Sequence, residues 1–362
     1  MKRILFTVTN DLTYDQRMQR ICTALSNAGY ECELIGRARN QSIELPNQVF
    51  QQTRLKCWFD AGFAFYAEYN IRLFIYLLFH RFDAVCSIDL DTILPGFFTT
   101  KLKRKPHVYD AHEYFSQMQE IVSRPLVHKV WLAIERFMMP RIKHGYTIGE
   151  GYANIFKKEY DLDFEIIRNV PFAIAEPAPA TGEKSILYQG AINVGRGLEE
   201  MIEAMTQLDG IKLIIVGEGP ELPRLKELAK SVGVEEKVVF KGALLPQDLK
   251  KETGKHWLGL TLFSNIGEHH QLSLANRFFD YIQSGVPQIA MNYAEYAHLN
   301  QRYNMAYMLN ELKSETLVSL IRKIEADPSL YEEKKQNSKT AGNNLCWENE
   351  SEKLIEIYRE LL

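Results

Sequence analysis

Two stretches in the second half of the chain set a fixed cation at the start of a helix, a combination suited to an anion. Tyr188-Gln-Gly190-Ala-Ile-Asn-Val-Gly195-Arg196-Gly197-Leu198 reads as a strand, a glycine-bearing loop and a helix start. Such a loop lets backbone N–H groups approach an anion, and a helix N-terminus favours negative charge. Arg196 at that opening can fork onto a phosphate. The alternative is a tight turn carrying a solvated arginine. Further on, Asn276-Arg277-Phe-Phe-Asp280 opens a helix, and Arg277 and Asp280, three apart, share one face. A cation for a diphosphate and a carboxylate for ribose hydroxyls both suit that face. The plainer reading is an exposed Arg–Asp pair worth little energetically. Between these stretches, Val216-Gly217-Glu-Gly219-Pro220 follows an apolar strand, but Leu222 stands where a dinucleotide fingerprint needs its third glycine. No nicotinamide cofactor is expected.

The first half offers acids and one histidine. Its first loop carries Asn10, Asp15 and Arg17 into a helix, with Asp15 either an N-cap or a contact for a second substrate. Ser87-Ile-Asp89-Leu-Asp91 spells DxD after a strand, a pair that elsewhere holds a divalent cation. Here it lies away from the anion-binding stretches and reads as a polar rim or acceptor contact. His112, between Asp110 and Glu113 at another strand end, can donate a hydrogen bond or carry a proton. His269 and His270 lack an i, i+4 partner, so no metal is expected.

These residues need strands to hold them. Short apolar runs alternate with helical-period segments, twice over. Strands are expected at 4–8, 32–35, 84–88, 107–109, 146–148 and 165–167, then at 186–189, 213–216, 238–241, 258–263 and 287–291. Continuous apolar strands separated by helices imply parallel sheets covered on both faces. In the first helix Met18, Ile21, Cys22 and Leu25 recur at helical spacing before Gly29. The Pro- and Ala-rich stretch Pro171 to Gly182 is the best linker. The expected organisation is a Rossmann-like domain over 1–172, a linker over 173–183, a second such domain over 184–340, and a C-terminal helix over 341–362 packing back on the first domain. Two such domains facing across a cleft place the chemistry in loops beyond the carboxyl ends of their strands.

Composition narrows the class. At 46% hydrophobic and 25% charged residues, long disordered tails are not expected. A formal net charge of -3 gives no overall field to draw in nucleic acid. The scattered Cys22, Cys32, Cys57, Cys86 and Cys346 lack any CxxC spacing and fit free thiols in a reducing cytosol. Met1 to Phe6 reads as a first strand and not a signal peptide. Two motifs remain unassigned. Ile71 to Phe79 (IRLFIYLLF) is far short of the ~20 residues a spanning helix needs, leaving a buried helix or a lipid-touching surface. Lys101 to Lys105 (KLKRK) is a solvated helix end or a membrane-surface patch.

Taken together, Gln189-Gly190…Arg196-Gly197, Val216-Gly-Glu-Gly-Pro220, Val239-Phe-Lys-Gly242 and Asn276-Arg-Phe-Phe-Asp-Tyr-Ile-Gln-Ser-Gly-Val-Pro287 resemble glycosyltransferase family 4. Tyr109-Asp-Ala-His-Glu113 and Ile167-Arg-Asn-Val-Pro171 carry a looser likeness in the first half. The resemblance implies a retaining enzyme of the GT-B type, with a nucleotide-sugar donor in the second domain. It also implies a sugar or lipid-linked acceptor, cell-surface polysaccharide synthesis, and a cytoplasmic site at the inner face of the membrane. By the same resemblance Arg196 and Arg277 contact the donor diphosphate, Asp280 the ribose, and Gly242 and Ala243 the base. Gly190, Gly217 and Asn276 complete the donor set, and Asn10, Asp15, Arg17, Asp89 and Asp91 are assigned to the acceptor. His112 reaches toward the transferred sugar. The family's paired glutamates are eight residues apart, whereas here Leu272 fills the first position and Asp280 the second. Glu268 is the nearest acid and joins His112 as a catalytic candidate. A nucleotide-sugar epimerase and a non-catalytic sugar-binding scaffold are the competing readings.

Overall fold

The structure is a computed structural model describing every residue except 14, 41, 177, 179–181, 183, 265–271 and 273. The chain divides into two units, Met1–Asn169 with Glu350–Leu362, and Val170–Asn349.

In unit 1, β1 (Arg3–Thr7), β2 (Glu31–Arg37), β3 (Gln51–Leu55), β4 (Ala84–Ile88), β5 (His107–Ala111), β6 (His144–Thr147) and β7 (Glu165–Ile166) form a seven-stranded parallel sheet. Its order is β3-β2-β1-β4-β5-β6-β7. The order reverses between β1 and β4, and that switch point is where a doubly wound sheet opens a crevice for ligands. The helix Gln16–Asn27 buries Met18, Ile21, Cys22 and Leu25 on one stripe and ends before Gly29, whose φ of 96° suits a residue without a Cβ. From the chain's end, Tyr358 packs into unit 1, its ring 6.0 Å from Phe6 and its hydroxyl 3.5 Å from that of Tyr146.

Unit 2 repeats the plan. β8 (Ser185–Gln189), β9 (Lys212–Val216), β10 (Val238–Gly242), β11 (Leu258–Thr261), β12 (Gln288–Met291) and β13 (Ala306–Leu309) pair in parallel in the order β10-β9-β8-β11-β12-β13. Successive residues alternate between two buried layers. Ile186, Tyr188, Leu213 and Ile215 lie in one, Leu187, Ile214 and Val216 in the other. This alternation makes the strands read as unbroken apolar runs. The switch point lies between β8 and β11.

β3 and β13 were not expected from the sequence. Both are edge strands, and Gln51-Gln-Thr-Arg-Leu55 is half-exposed and polar, so neither apolar-run nor alternation signals mark it. β11 ends at Thr261, two residues earlier than expected, because Leu262 and Phe263 turn out of the sheet to pack beside the switch point.

Candidate functional site

The rim of unit 2 is built by three glycines at the carboxyl ends of neighbouring strands. Gly217 donates to the Gly242 carbonyl at 2.9 Å, and Gly190 donates to that of Val216 at 3.0 Å. At Gly217 (φ 144°) an added Cβ would stand 1.9 Å from the Gly190 oxygen, so the two turns touch backbone to backbone. Only glycine fits such an approach.

Over this floor lie the two arginines. Arg277, from the helix Asn276–Gln283, is buried. Its guanidinium stands beside Gly190, donates to the Leu262 carbonyl at 3.2 Å, and stacks over Tyr188 (4.8 Å) and Phe263 (4.5 Å). It therefore bridges the loops after β8 and β11, the two sides of the switch point. Arg196 shares the Phe263 ring at 4.9 Å. Burial, and then the neighbouring Arg277 charge, pull its acidity constant below the usual arginine value. Nε of both arginines is buried without a hydrogen-bond partner among the described residues. Two neighbouring like charges, one buried and one half-buried, with both Nε atoms short of acceptors are stabilised by an incoming anion.

Asp280 lies three residues along the same helix. Gln189 Nε2 donates to its Oδ2 at 2.9 Å, and Thr253 Oγ1 donates to Gln189 Oε1 at 2.8 Å. The carboxylate is thus oriented by a buried amide that the sequence reading did not single out. Asn276 and Ala243 are exposed. Glu268, with Asn265, His269 and His270, lies outside the described residues.

Unit 1 places a different chemistry at its switch point. Thr9, after β1, donates to Asp91 Oδ2 at 2.5 Å, which links the two sides of the reversal. Asp89 (φ 54°) receives the backbone N–H groups of His112 (2.8 Å) and Glu113 (3.3 Å). Burial raises Asp89 to about 8 and Asp91 to about 6, reinforced by neighbouring carboxylates. Behind them Arg17, 5% exposed, donates to Asp110 Oδ1 (3.2 Å), the Ile167 carbonyl (2.9 Å) and His112 Nε2 (2.9 Å). Burial alone would raise Asp110, but Arg17 and His112 bring it below the usual carboxylate value. Burial works against charge on His112, yet the Asp110 carboxylate lifts it above the ordinary histidine value. His112 Nε2 is also 2.9 Å from Asp110 Oδ2. A bare Nε2 accepts from Arg17, and a protonated one donates to Asp110.

The structure thus gathers Arg17, Asp89, Asp91 and His112, and adds Asp110, whose motif was legible but whose ion pair with Arg17 was not. Asn10 and Asp15 are engaged locally. Asp15 accepts from the Met18 N–H at 3.0 Å as an N-cap, and Asn10 Nδ2 donates to Asp15 Oδ2 at 2.6 Å. Among the described residues no three acidic, histidine or cysteine side chains are grouped to hold a metal.

Residues 170–341 match the family model described as glycosyl transferases group 1. Over 113 residues the chain is 26% identical to the alpha-monoglucosyldiacylglycerol synthase of Streptococcus pneumoniae, a match covering 30% of this chain and 24% of that protein. The match therefore spans about a quarter of that curated relative. Sucrose-phosphate synthase from Thermosynechococcus elongatus superposes with a TM-score of 0.82 at 14% identity, covering 100% of this chain and 99% of that one. HepE of Anabaena, solved with UDP and glucose, gives a TM-score of 0.76 at 13% identity with 100% of both chains covered. These likenesses establish the fold as the GT-B type, two parallel-sheet α/β domains.

Proposed function

We propose that this chain, whose second unit belongs to group 1 of the glycosyl transferases, moves a sugar with retention from a nucleotide-sugar donor to a hydroxyl acceptor. The supporting observation is the pair Arg196 and Arg277, a half-buried and a buried guanidinium sharing one aromatic ring over a floor of glycine turns. Charge grows on the leaving diphosphate in the transition state, and fixed cations in a desolvated rim stabilise it without reorganising. Asp280, oriented by Gln189, receives the ribose, and the Gly242 turn lies against the base. UDP and glucose bound to HepE support this class of donor.

Unit 1 takes the acceptor, a sugar or lipid-linked hydroxyl at the inner face of the membrane in cell-surface polysaccharide synthesis. Asp89 and Asp91 face it, and His112, made basic by Asp110, reaches the transferred sugar. Asp280 is occupied with the ribose, so the acceptor hydroxyl attacks the sugar carbon on the face the diphosphate leaves, and its proton passes to the departing phosphate oxygen. No metal takes part, so a chelator leaves the rate unchanged.

The experiment is donor turnover followed by NMR. The Arg196→Ala, Arg277→Ala double variant is expected to lose at least about a thousandfold in rate, since one oxyanion donor alone is worth ~100-fold or more. Undiminished transfer would refute the assignment. Conversion of donor in the absence of any acceptor would instead mark an epimerase.

A further inference from the structure

The outward face of unit 1 is apolar where a solvated helix should be polar. In the helix Gly62–Phe79, the side chains facing the sheet are Phe65, Tyr69, Leu73 and Leu77, spaced by four and fully covered. A second stripe points away from them, Ile71, Ile75 and Phe79 at the same spacing and Phe63 nearer the helix start. Phe63, Ile71, Ile75 and Phe79 are 79%, 61%, 49% and 78% exposed. Amphipathic helices normally turn charged or polar residues to that side. The neighbouring helix Ile93–Lys103 extends the surface with exposed Phe98 and Leu102. Contiguous exposed apolar surface of this kind marks an interaction site.

Tertiary structure joins the two motifs that the donor and acceptor rims leave unused. Lys103 Nζ donates to the carbonyls of Leu77 (3.0 Å) and His80 (2.6 Å), clasping the ends of both helices. The apolar run 71–79 and the basic run 101–105 therefore share one corner. Lys103 is spent inside, whereas Arg81, Lys101 and Arg104 are exposed there. Asp83, the carboxylate at that corner, is held by the Arg3 N–H (2.9 Å) and by Lys105 (2.9 Å). Beside the stripe runs a groove of about 360 Å³ lined by Ile75, Phe79, Tyr76 and His80 together with Lys56 and Arg72.

We propose that this face of unit 1 docks on an anionic lipid bilayer. The stripe sits at the boundary between headgroups and acyl chains, and Arg81, Lys101 and Arg104 pair with lipid phosphates. Among the described residues no helix is long and apolar enough to cross a membrane, and an apolar stripe with a cationic border is the pattern of a helix lying in the interface. Self-pairing of this face about a twofold axis would bring its own cations together, which disfavours a second copy as the occupant. This inference rests on the proposed acceptor at the inner face of the membrane and gives that contact a surface; vesicle binding needs neither donor nor turnover, so its failure and that of glycosyl transfer are distinguishable.

Flotation of the full chain with vesicles tests it. Binding is expected to phosphatidylcholine vesicles containing phosphatidylglycerol, weakening by about tenfold or more without phosphatidylglycerol and falling with salt. The Arg81→Glu, Lys101→Glu, Arg104→Glu variant is expected to bind on the order of a hundredfold more weakly, at roughly fivefold or more per cation. The Ile71→Ser, Ile75→Ser, Phe79→Ser variant should fail to bind. All six side chains are exposed, so both variants should keep the wild-type melting curve, and that is checked first. Absence of vesicle binding by the unaltered chain, or undiminished binding by the charge variant, overturns the proposal. So does a dimer in sedimentation that the serine variant dissolves, which would assign the face to a second copy.

Discussion

The two units lay their strands in the same order about the same switch point, yet their rims carry opposite chemistry. At the reversal in unit 2 sit glycine turns and two guanidiniums, that of Arg277 buried and that of Arg196 half-buried. At the reversal in unit 1 sit Asp89 and Asp91, with Asp110, Arg17 and His112 behind them. The sheet sets where a ligand can lie, and the loops set what sign of charge it meets. The means of holding charge also differ. Unit 2 leaves the Nε atoms of its cations short of acceptors, as a site awaiting an anion does, whereas unit 1 pairs Arg17 and His112 with Asp110 and holds Asp89 and Asp91 raised by burial.

That contrast can be broken at several points. The largest effect is expected from Asp110→Ala in unit 1, which leaves the Arg17 guanidinium buried without its carboxylate. Breaking such a pair costs about 3–5 kcal/mol, and urea unfolding measures it. A cost near zero would mean that unit 1 does not depend on internal pairing. Next comes Gly217→Ala in unit 2, where the new Cβ meets the Gly190 oxygen at 1.9 Å on a backbone with φ 144°. About 2–3 kcal/mol of strain is expected. Gly210→Ala is the control, since nothing lies within 4 Å of its Cβ and only the φ of 70° penalises it. Equal losses at both positions would show that the contact between turns is immaterial.

A smaller effect is predicted for Arg277→Lys. It keeps the cation but loses the planar fork over Tyr188 and Phe263, so donor affinity should fall about tenfold, ~1.4 kcal/mol. Calorimetric titration with the nucleoside diphosphate reads this, and unchanged affinity would mean that point charge alone suffices. The smallest concerns pH. Because Asp110 lifts the His112 value in the folded state, stability from that pair is complete below the ordinary histidine range and is lost as pH rises through the lifted value. His112→Ala should flatten that part of the stability curve. A slope persisting unchanged would place the titration elsewhere.

Much of this was legible in the residues themselves. Buried strands such as Ser185–Gln189 and Ala84–Ile88 declare themselves because both faces are covered, which forces an apolar run. Edge strands such as Gln51–Leu55 escape, since one side needs no apolar partner. Arg196, Arg277 and Asp280 were visible through their spacing from glycine turns and a helix start. Gln189 was not, because an amide inside a strand looks like any other until Asp280 is brought beside it.

By itself the sequence determined the alternation of strand and helix, the glycine turns and the local N-cap at Asp15, all of which depend on neighbours in the chain. Tertiary structure decided the rest. It set Arg17 against Asp110 and His112, 93 and 95 residues away, and joined the apolar helix 62–79 to the basic end of the helix 93–103. Burial, pairing and charge compensation are properties of distant residues brought together, and no local spacing encodes them.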